Sequence, residues 1–397
     1  MQVTLSVFGR FHAFDLAREL HRLGALRQIV TSYPRFAAAS HGVPESKVAS
    51  VVVPEALTRL ARRLPLGERL KTEADYWASA LFERLASERL DAKADIVVGW
   101  SGFSRAVLRR AKEQGAVTVL ERHSCHMAMQ QELLTREYAL HGLKFEATHP
   151  RLVEKELQEY KEADFICVPS LFVKRSFEQR GLNPKKLLHV PLGVDLSQFR
   201  PAGKKQSARP FRIVHCGTVS IRKGIPYLLE AFKQAQLPAS ELWLIGPVAP
   251  EMEPILAKYA SDAVKVLGRR PSCELAELFA QCDALCLASV EDGFGLVIPQ
   301  AMACGLPVVC TRNTCGEDLI RDGKEGFIVD IQSAVAIADK FVWLYENRPR
   351  AEEMGAEARV RAEQSFTWKT YGEAMLAQYR KILATQNPAS LSADAFA

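Results

Sequence analysis

The chain has 397 residues, of which 48% are hydrophobic and 25% are charged, and its formal net charge is +6. This length exceeds one ordinary hydrophobic core and predicts two domains of roughly 150–200 residues each. The composition is that of a soluble globular protein and excludes a disordered or collagen-like chain. The modest positive charge is compatible with an anionic ligand or an anionic membrane surface, and we expect no nucleic-acid partner.

Cysteine usage and the lengths of the apolar runs point to the cytoplasm. The nine cysteines are scattered without a C-x-x-C pair, which is typical of reduced, buried thiols. Apolar runs such as 284–290 are far shorter than the ~20 residues that cross a bilayer, and the N-terminus has no signal-like pattern. Cys125 lies between His123 and His126, but no second ligand cluster accompanies them, so we predict no metal site.

Strand-like and helix-like segments alternate through the first half of the chain. The apolar runs lie at 3–8, 96–100, 117–120, 165–169 and 187–191. Helical patterns follow most of them, and glycines such as Gly24 and Gly181 end these patterns. Short apolar runs separated by helices predict β-α units around a buried parallel sheet.

One segment of the first half combines basic and apolar residues. Its basic residues are Arg59, Arg62, Arg63, Arg69 and Lys71, and leucines are interleaved with them. A segment of this kind can lie on an anionic membrane. The commoner alternative is a helix face in contact with water, and the pattern does not decide between the two.

The same alternation of strand-like and helix-like segments resumes after a linker-like segment at 200–210, which is rich in Pro, Lys and Ser. Strand candidates lie at 211–215, 242–245, 264–267, 284–288, 308–310 and 327–329, and helical patterns at 334–345, 351–364 and 368–384. The fold class is therefore α/β, with two doubly wound units. Ligands of such sheets bind beyond the carboxyl ends of the strands, so the loops there should hold the site.

The strongest local signal follows the strand candidate at 284–288. An acidic pair, Glu291 and Asp292, precedes Gly293, and Gly295 opens an apolar helix. Two glycines at the start of a helix let backbone N–H groups approach an anion closely. Gln300 lies eight positions after Asp292 and offers a further oxygen. The same residues could instead form only a tight turn between strand and helix.

Residues 289–309 resemble the signature of the retaining glycosyltransferases of family 4, whose pattern is acidic-Gly-Phe-Gly, a second acid eight positions after the first, then Ala-Met-Ala-x-Gly-x-Pro-Val. The resemblance covers most of residues 160–380 and only the outline of the first domain. It implies the GT-B fold, two Rossmann-like domains facing across a cleft. It divides the chain into an acceptor domain at 1–198, a nucleotide-sugar domain at 199–366, a crossover helix at 367–386 that packs on the first domain, and a frayed tail at 387–397.

The resemblance assigns the two acidic positions of the signature. Asp292 takes the place of the acid that hydrogen-bonds the transferred sugar, and Gln300 takes that of the acid that holds the ribose. Both replace the commoner glutamate, and Glu291 could substitute for either. Backbone N–H groups of the following residues would contact the sugar and the phosphates: Phe294, Gly295, Leu296 and Val297.

A second match follows the first strand of the second domain, at 215–232. The family places a Lys-Gly here, and its lysine contacts the donor diphosphate. Lys223 matches that lysine, and Arg222 could supply the accompanying arginine, although the usual arginine position holds Thr218. Fixed cations can stabilise the charge that builds on a departing diphosphate. No D-x-D motif occurs in the chain, so we expect neither a metal nor another cofactor.

Further resemblances concern the loops at the strand ends. Those of the second domain would meet the nucleotide through Gly217, Gly246, Gly268 and Arg269, and Gly9 and Arg10 would approach the phosphates from the first domain. The family often carries a donor-contacting histidine after the strand at 117–120, where His123 and His126 are both candidates. Acceptor contacts are expected from His12, Trp100 and Arg122.

The implied function is transfer of a sugar from a nucleotide-diphospho-sugar to an acceptor hydroxyl, with retention of configuration. The expected acceptor is a glycan or a lipid-linked glycan of the cell surface, reached in the cytoplasm or at the inner face of the cell membrane. Three alternatives are a nucleotide-sugar epimerase of the same fold, a glycan phosphorylase carrying pyridoxal phosphate, and a nucleotide-sugar-binding protein without catalysis. The missing G-x-G-x-x-G argues against a dehydrogenase.

Overall fold

The computed structural model describes residues 1–65, 67–201 and 209–386. Most of the linker-like segment at 200–210 and the whole predicted tail at 387–397 lie outside the described residues. Two separate parallel sheets, one in each half of the chain, carry the remaining structure.

The first sheet has seven strands. They are β1 (Val3–Val7), β2 (Leu26–Thr31), β3 (Val48–Ser50), β4 (Ile96–Trp100), β5 (Val117–Glu121), β6 (Phe165–Val168) and β7 (Leu187–His189). Their order across the sheet is β3-β2-β1-β4-β5-β6-β7, with parallel pairing throughout. Ile96 and Val98 belong to one apolar core and Val97 to another. Both faces of β4 are therefore covered, which explains its uninterrupted apolar sequence.

Eight helices connect and cover these strands. They are α1 (Ala13–Arg22), α2 (Arg35–Ala39), α3 (Val52–Arg63), α4 (Glu68–Ser87), α5 (Arg105–Glu113), α6 (Met127–Leu140), α7 (Pro150–Glu162) and α8 (Leu171–Glu178). Several helices begin at side-chain caps: the Ser170 Oγ accepts a hydrogen bond from the Val173 N–H at the start of α8.

The second sheet has six strands. They are β8 (Phe211–Cys216), β9 (Ser240–Ile245), β10 (Val264–Gly268), β11 (Ala284–Leu287), β12 (Val308–Thr311) and β13 (Gly326–Val329). The order is β10-β9-β8-β11-β12-β13, again parallel. The helices are α9 (Ile225–Ala235), α10 (Glu253–Lys258), α11 (Ser272–Ala280), α12 (Val297–Ala303), α13 (Gly316–Leu319), α14 (Ala334–Glu346), α15 (Arg348–Ser365) and α16 (Trp368–Gln386).

Each sheet changes its winding direction once. The change falls between β1 and β4 in the first sheet and between β8 and β11 in the second. Loops on the two sides of such a point diverge and leave a crevice at the carboxyl ends of the strands. Most of the predicted site residues lie in the loops after β1, β5, β8 and β11, and the others lie at the ends of β4, β9 and β10 and at the start of α12. The topology therefore gathers them at this edge.

Helix α16 returns to the first domain and packs against α1. Gly372 permits the close approach, because a Cβ built there would lie 2.4 Å from the Glu19 Cβ. Tyr371, Met375 and Tyr379 are buried in the same core as β1. The two Rossmann-like domains and the returning helix confirm the predicted fold class. In the described part of the chain, every helix is too short or too polar to cross a bilayer.

Candidate functional site

The loops after β8 and β11 lie side by side because these strands are neighbours in the sheet. The Val290 N–H donates to the Arg222 carbonyl at 3.0 Å. Gly224 is left-handed, with φ 66°, and a Cβ there would lie 1.9 Å from the Ala288 carbonyl oxygen. Only glycine permits this contact, which brings the predicted cations at 222 and 223 to the predicted acids at 291 and 292.

Lys223 and Asp292 form an ion pair in which the Lys223 Nζ donates to the Asp292 Oδ2. The Asp292 backbone N–H donates to the Asn313 carbonyl at 3.0 Å, which fixes the loop. Both side chains are mostly buried. An ammonium beside a carboxylate at the end of a strand can bind phosphate with one group and a sugar hydroxyl with the other.

Arg222 and Glu291 form a second ion pair, with the Arg222 Nη2 2.7 Å from the Glu291 Oε2. Glu291 is fully buried and also accepts hydrogen bonds from the Cys125 N–H at 3.1 Å and the Gln130 Nε2 at 3.0 Å. Burial alone would raise the pKa of Glu291, but Arg222 and these donors hold that pKa below its usual range. The structure therefore places Glu291, predicted to contact the donor, inside the protein with both oxygens engaged.

Glycines end three neighbouring strands of the second sheet. The Gly217 N–H donates to the Ile245 carbonyl and the Gly246 N–H to the Gly268 carbonyl, both at 2.9 Å. A Cβ at Gly246 would lie 1.9 Å from the Gly217 carbonyl oxygen. The structure thus brings these three predicted glycines together at the strand ends, with Gly217 and Gly268 half-buried, Gly246 buried and exposed Arg269 following them.

The apolar helix predicted after the glycine loop is α12, Val297–Ala303. Phe294 and Val297 pack in the core, and the Ile298 N–H closes the turn on the Gly295 carbonyl at 2.8 Å. These side chains hold the turn in place. The backbone N–H groups of 294–297 remain the groups predicted to contact the sugar and the phosphates. Leu296, within this range, and Gln300, predicted to hold the ribose, are half-buried.

The first domain meets this loop backbone to backbone. A Cβ on Gly293 would lie 2.0 Å from the His123 carbonyl oxygen and 2.6 Å from the Ser124 Cα. The Ser170 Oγ donates to the Gly293 carbonyl at 2.6 Å. Gly293 is therefore a point of contact between the two domains.

His12, Glu121 and His123 form a polar cluster beside this contact. The Glu121 Oε2 lies 3.2 Å from the His123 Nε2 and 3.9 Å from the His12 Nε2. Burial lowers the pKa of each histidine to about 3 and raises the pKa of Glu121, so both imidazoles are neutral at pH 7. One ligand atom from each residue lies within 4.8 Å of the others, close enough to hold a metal ion. Trp100 is buried behind the cluster, with its ring 5.4 Å from that of His12.

The structure separates the two candidate histidines. His126 caps α6 by accepting from the Ala128 N–H, and its ring packs on Tyr160 and Phe177. Burial lowers the pKa of His126 to about 4. His123 lies at the domain contact instead, so it is the histidine that the fold brings towards the second domain.

Arg122 points into the first domain. Its guanidinium lies 2.6 Å from a Glu156 oxygen and donates to the Cys125 carbonyl and the Gln130 Oε1, both at 3.1 Å. Arg122 is therefore buried, and its side chain is not exposed for the predicted contact with the acceptor. Gly9, with φ 101°, and exposed Arg10 occupy the loop after β1 as expected.

The sequence analysis did not identify the residues of the first domain that contact the loop after β11, which carries Glu291, Asp292 and Gly293. Gln130 and Ser170 are polar residues in or next to ordinary helices, and no local pattern marks them. Their partners are 161 and 123 positions away along the chain. Only the packing of the two domains reveals them.

Family models match both halves of the chain. The model of glycosyltransferase family 4 matches residues 10–198, and that of glycosyl transferases group 1 matches residues 199–361. The chain belongs to the family 4 glycosyltransferases. Among the relatives of this family 4 chain, D-inositol 3-phosphate glycosyltransferase of Paenarthrobacter aurescens is 31% identical over 211 residues, 49% of this chain and 52% of the relative. The chain spans about half the length of the curated relatives it matches.

Solved structures share the fold of this family 4 chain over nearly its whole length. Sucrose-phosphate synthase from Thermosynechococcus elongatus has a TM-score of 0.72 and 18% identity, covering 97% of this chain and 100% of the other. HepE of Anabaena in complex with UDP and glucose has a TM-score of 0.67 and 17% identity, covering 96% and 100%. At such identities the likeness establishes the GT-B fold alone.

We predict that Gly293→Ala opens the two domains, because the added Cβ meets first-domain backbone that cannot move aside. Small-angle scattering should show a larger radius of gyration, while the urea midpoint of unfolding changes little. Gly295→Ala is the matched control: its Cβ would lie 2.5 Å from the Leu287 Cδ2 inside the second domain, so it should lower the midpoint without opening the molecule. An unchanged radius for Gly293→Ala would contradict the prediction.

Proposed function

We propose that the protein transfers a sugar from a nucleotide-diphospho-sugar to an acceptor hydroxyl with retention of anomeric configuration. The observation that carries the proposal is the placement of Arg222 and Lys223 beside Asp292, at the carboxyl edge of the second sheet and next to the contact with the first domain. Cations, a carboxylate and glycine backbone at one edge are the groups that a diphosphate and a sugar require.

In the proposed reaction, the bond between the anomeric carbon and the donor phosphate oxygen breaks as the acceptor oxygen bonds to that carbon from the same face. The departing diphosphate takes the acceptor proton. Lys223 and Arg222 stabilise the negative charge that develops on the diphosphate. Asp292 accepts hydrogen bonds from sugar hydroxyls, Gln300 binds the ribose, and neutral His123 contacts the sugar from the first domain. Closure of the domains limits hydrolysis by excluding water.

Two fixed cations supply the charge that a divalent ion would otherwise bring to the diphosphate, so we propose that transfer needs no metal and no other cofactor. The names of relatives support the substrate classes: HepE is described with UDP and glucose, and another relative is a D-inositol 3-phosphate glycosyltransferase. We propose a glycan or lipid-linked acceptor, in the synthesis of cell-surface polysaccharide or glycolipid in the cytoplasm.

The donor class is tested by thermal unfolding with a panel of nucleoside diphosphates and nucleotide-sugars, with and without EDTA. A ligand at a hundred times its dissociation constant should stabilise the protein by about 2.7 kcal/mol. We expect one base to stabilise best and EDTA to change neither binding nor turnover. Loss of turnover with EDTA would show that a metal, held for example by the His12 cluster, is required. Conversion of the nucleotide-sugar to its epimer in the absence of an acceptor would instead identify an epimerase.

The role of Lys223 is tested by Lys223→Ala. We expect the transfer rate to fall by about 10²–10³-fold, the usual effect of removing one group that stabilises a transition-state charge. Lys233→Ala, at an exposed position on α9, is the control and should retain the parental rate. Circular dichroism should stay close to that of the parent, while the unfolding midpoint should fall because Asp292 loses its ion-pair partner. Full activity of Lys223→Ala would refute the assignment.

We further propose that α3 places the enzyme on an anionic membrane surface. Val53, Leu57 and Leu60 are 54%, 48% and 57% exposed, although apolar. Arg62 and Arg63 are exposed on the same helix. Apolar side chains beside arginines fit the boundary between acyl chains and anionic headgroups. The side chain of Arg69, part of the predicted basic segment, lies outside those described.

Co-sedimentation with vesicles tests this surface. The parent should sediment with vesicles containing phosphatidylglycerol and remain in solution with pure phosphatidylcholine. Leu57→Ser combined with Leu60→Ser should weaken binding by about tenfold or more, because each change removes apolar area from the bilayer. Val335→Ser with Val360→Ser removes exposed apolar residues of the second domain and should bind as the parent does. Equal binding by both pairs would exclude α3 as the docking surface.

A further inference from the structure

A chain of charged and polar groups runs through the contact between the domains. In the first domain, Glu156 binds Arg122 at 2.6 Å, and the Arg122 Nη2 donates to the Gln130 Oε1 at 3.1 Å. The Gln130 Nε2 then donates across the contact to the Glu291 Oε2 at 3.0 Å. That same oxygen of Glu291 accepts from the Arg222 Nε at 2.8 Å. The chain therefore ends on a cation of the proposed donor site.

The orientation of the Gln130 amide follows from its neighbours. A guanidinium can only donate, so Arg122 must face the amide oxygen, which turns the amide N–H groups towards the carboxylate of Glu291. Arg122, Gln130 and Glu291 are all buried. A buried carboxylate has lost its hydrogen bonds to water, and each protein donor offsets part of that cost. Loss of any one donor therefore destabilises the carboxylate.

Glu291 draws its donors from both domains. Cys125 and Gln130 belong to the first domain, and Arg222 belongs to the second. If the domains separate, Glu291 keeps Arg222 but loses both partners from the first domain, and water replaces them. The geometry in which Glu291 holds Arg222 is thus complete only when the domains are in contact.

We propose that Gln130 is a positioning residue, which completes the setting of Arg222 through Glu291 when the domains close. The proposal rests on the proposed function, in which Arg222 stabilises the departing diphosphate. Gln130 would complete the orientation of Arg222 for this role only when the domains are in contact. Gln130 itself touches neither substrate. Its effect is expected on the rate of transfer and on closure, and not on binding of the nucleotide by the second domain.

The first test is Gln130→Glu, a change of one terminal group. It places a second carboxylate 3 Å from Glu291, and two like charges at this distance repel each other. We expect a larger radius of gyration and a kcat lower by about tenfold or more, with the dissociation constant for the nucleoside diphosphate within about threefold of the parent. Gln131→Glu, on the same helix and hydrogen-bonded to Thr148 within the first domain, is the matched control and should behave as the parent.

The second test is the exchange variant Gln130→Glu with Glu291→Gln. It restores an amide–carboxylate pair across the contact but leaves an uncharged amide facing Arg222. We expect the radius of gyration to return to the parental value while kcat stays low. This split between closure and rate separates the positioning role from a purely structural one, which would recover both together.

Three results would overturn the inference: a parental kcat for Gln130→Glu, recovery of kcat as well as closure in the exchange variant, or equal losses in Gln131→Glu. These outcomes compare variants with a parent that transfers sugar, so they are distinct from failure of the proposed function. That failure would appear in the parent itself, as the absence of any transfer of sugar to an acceptor.

Discussion

A carboxylate shut off from water must find its positive charge and its hydrogen-bond donors inside the protein, and Glu291 finds them in both domains at once. This requirement ties the loop after β11 to Arg222 on one side and to the start of α6 on the other. Asp292, the next residue, is left to pair with Lys223 at the edge of the site. The contacts of Glu291 thus also fix the loop that carries Asp292.

Such pairing is possible only because backbones approach closely at this edge. Gly224 lies against the Ala288 carbonyl, Gly246 against the Gly217 carbonyl and Gly293 against His123. A side chain at Gly224 would separate the loop that carries the cations from the loop that carries the acids. A side chain at Gly246 would push apart the ends of β8 and β9, and one at Gly293 would push the loop after β11 away from the first domain. The parallel sheets supply the framework, since the change in winding between β8 and β11 leaves room beyond their ends.

The sequence analysis identified strands with uninterrupted apolar runs, such as β4 and β11, which are buried along their whole length. It also identified β8 and β10, in which a single basic residue interrupts the run. It did not identify β2 or β3. Arg27 and Gln28 interrupt the apolar pattern of β2, and both bind residues near the end of α4, while β3 has only three residues. Strands near a sheet edge have too few regularly spaced apolar residues to be distinguished from loops by hydrophobic periodicity.

By itself, the sequence determined the α/β architecture with two domains, the family, and the two loops that hold Arg222, Lys223 and Asp292, because strand periodicity and glycine-rich turns are local properties. Only the tertiary structure decided that Glu291 is buried, that His126 caps a helix while His123 meets the second domain, and that Gln130 reaches Glu291. The cap of His126 is local, but the other outcomes depend on contacts between residues more than a hundred positions apart, which the packing of two separately folded sheets creates and no local pattern records.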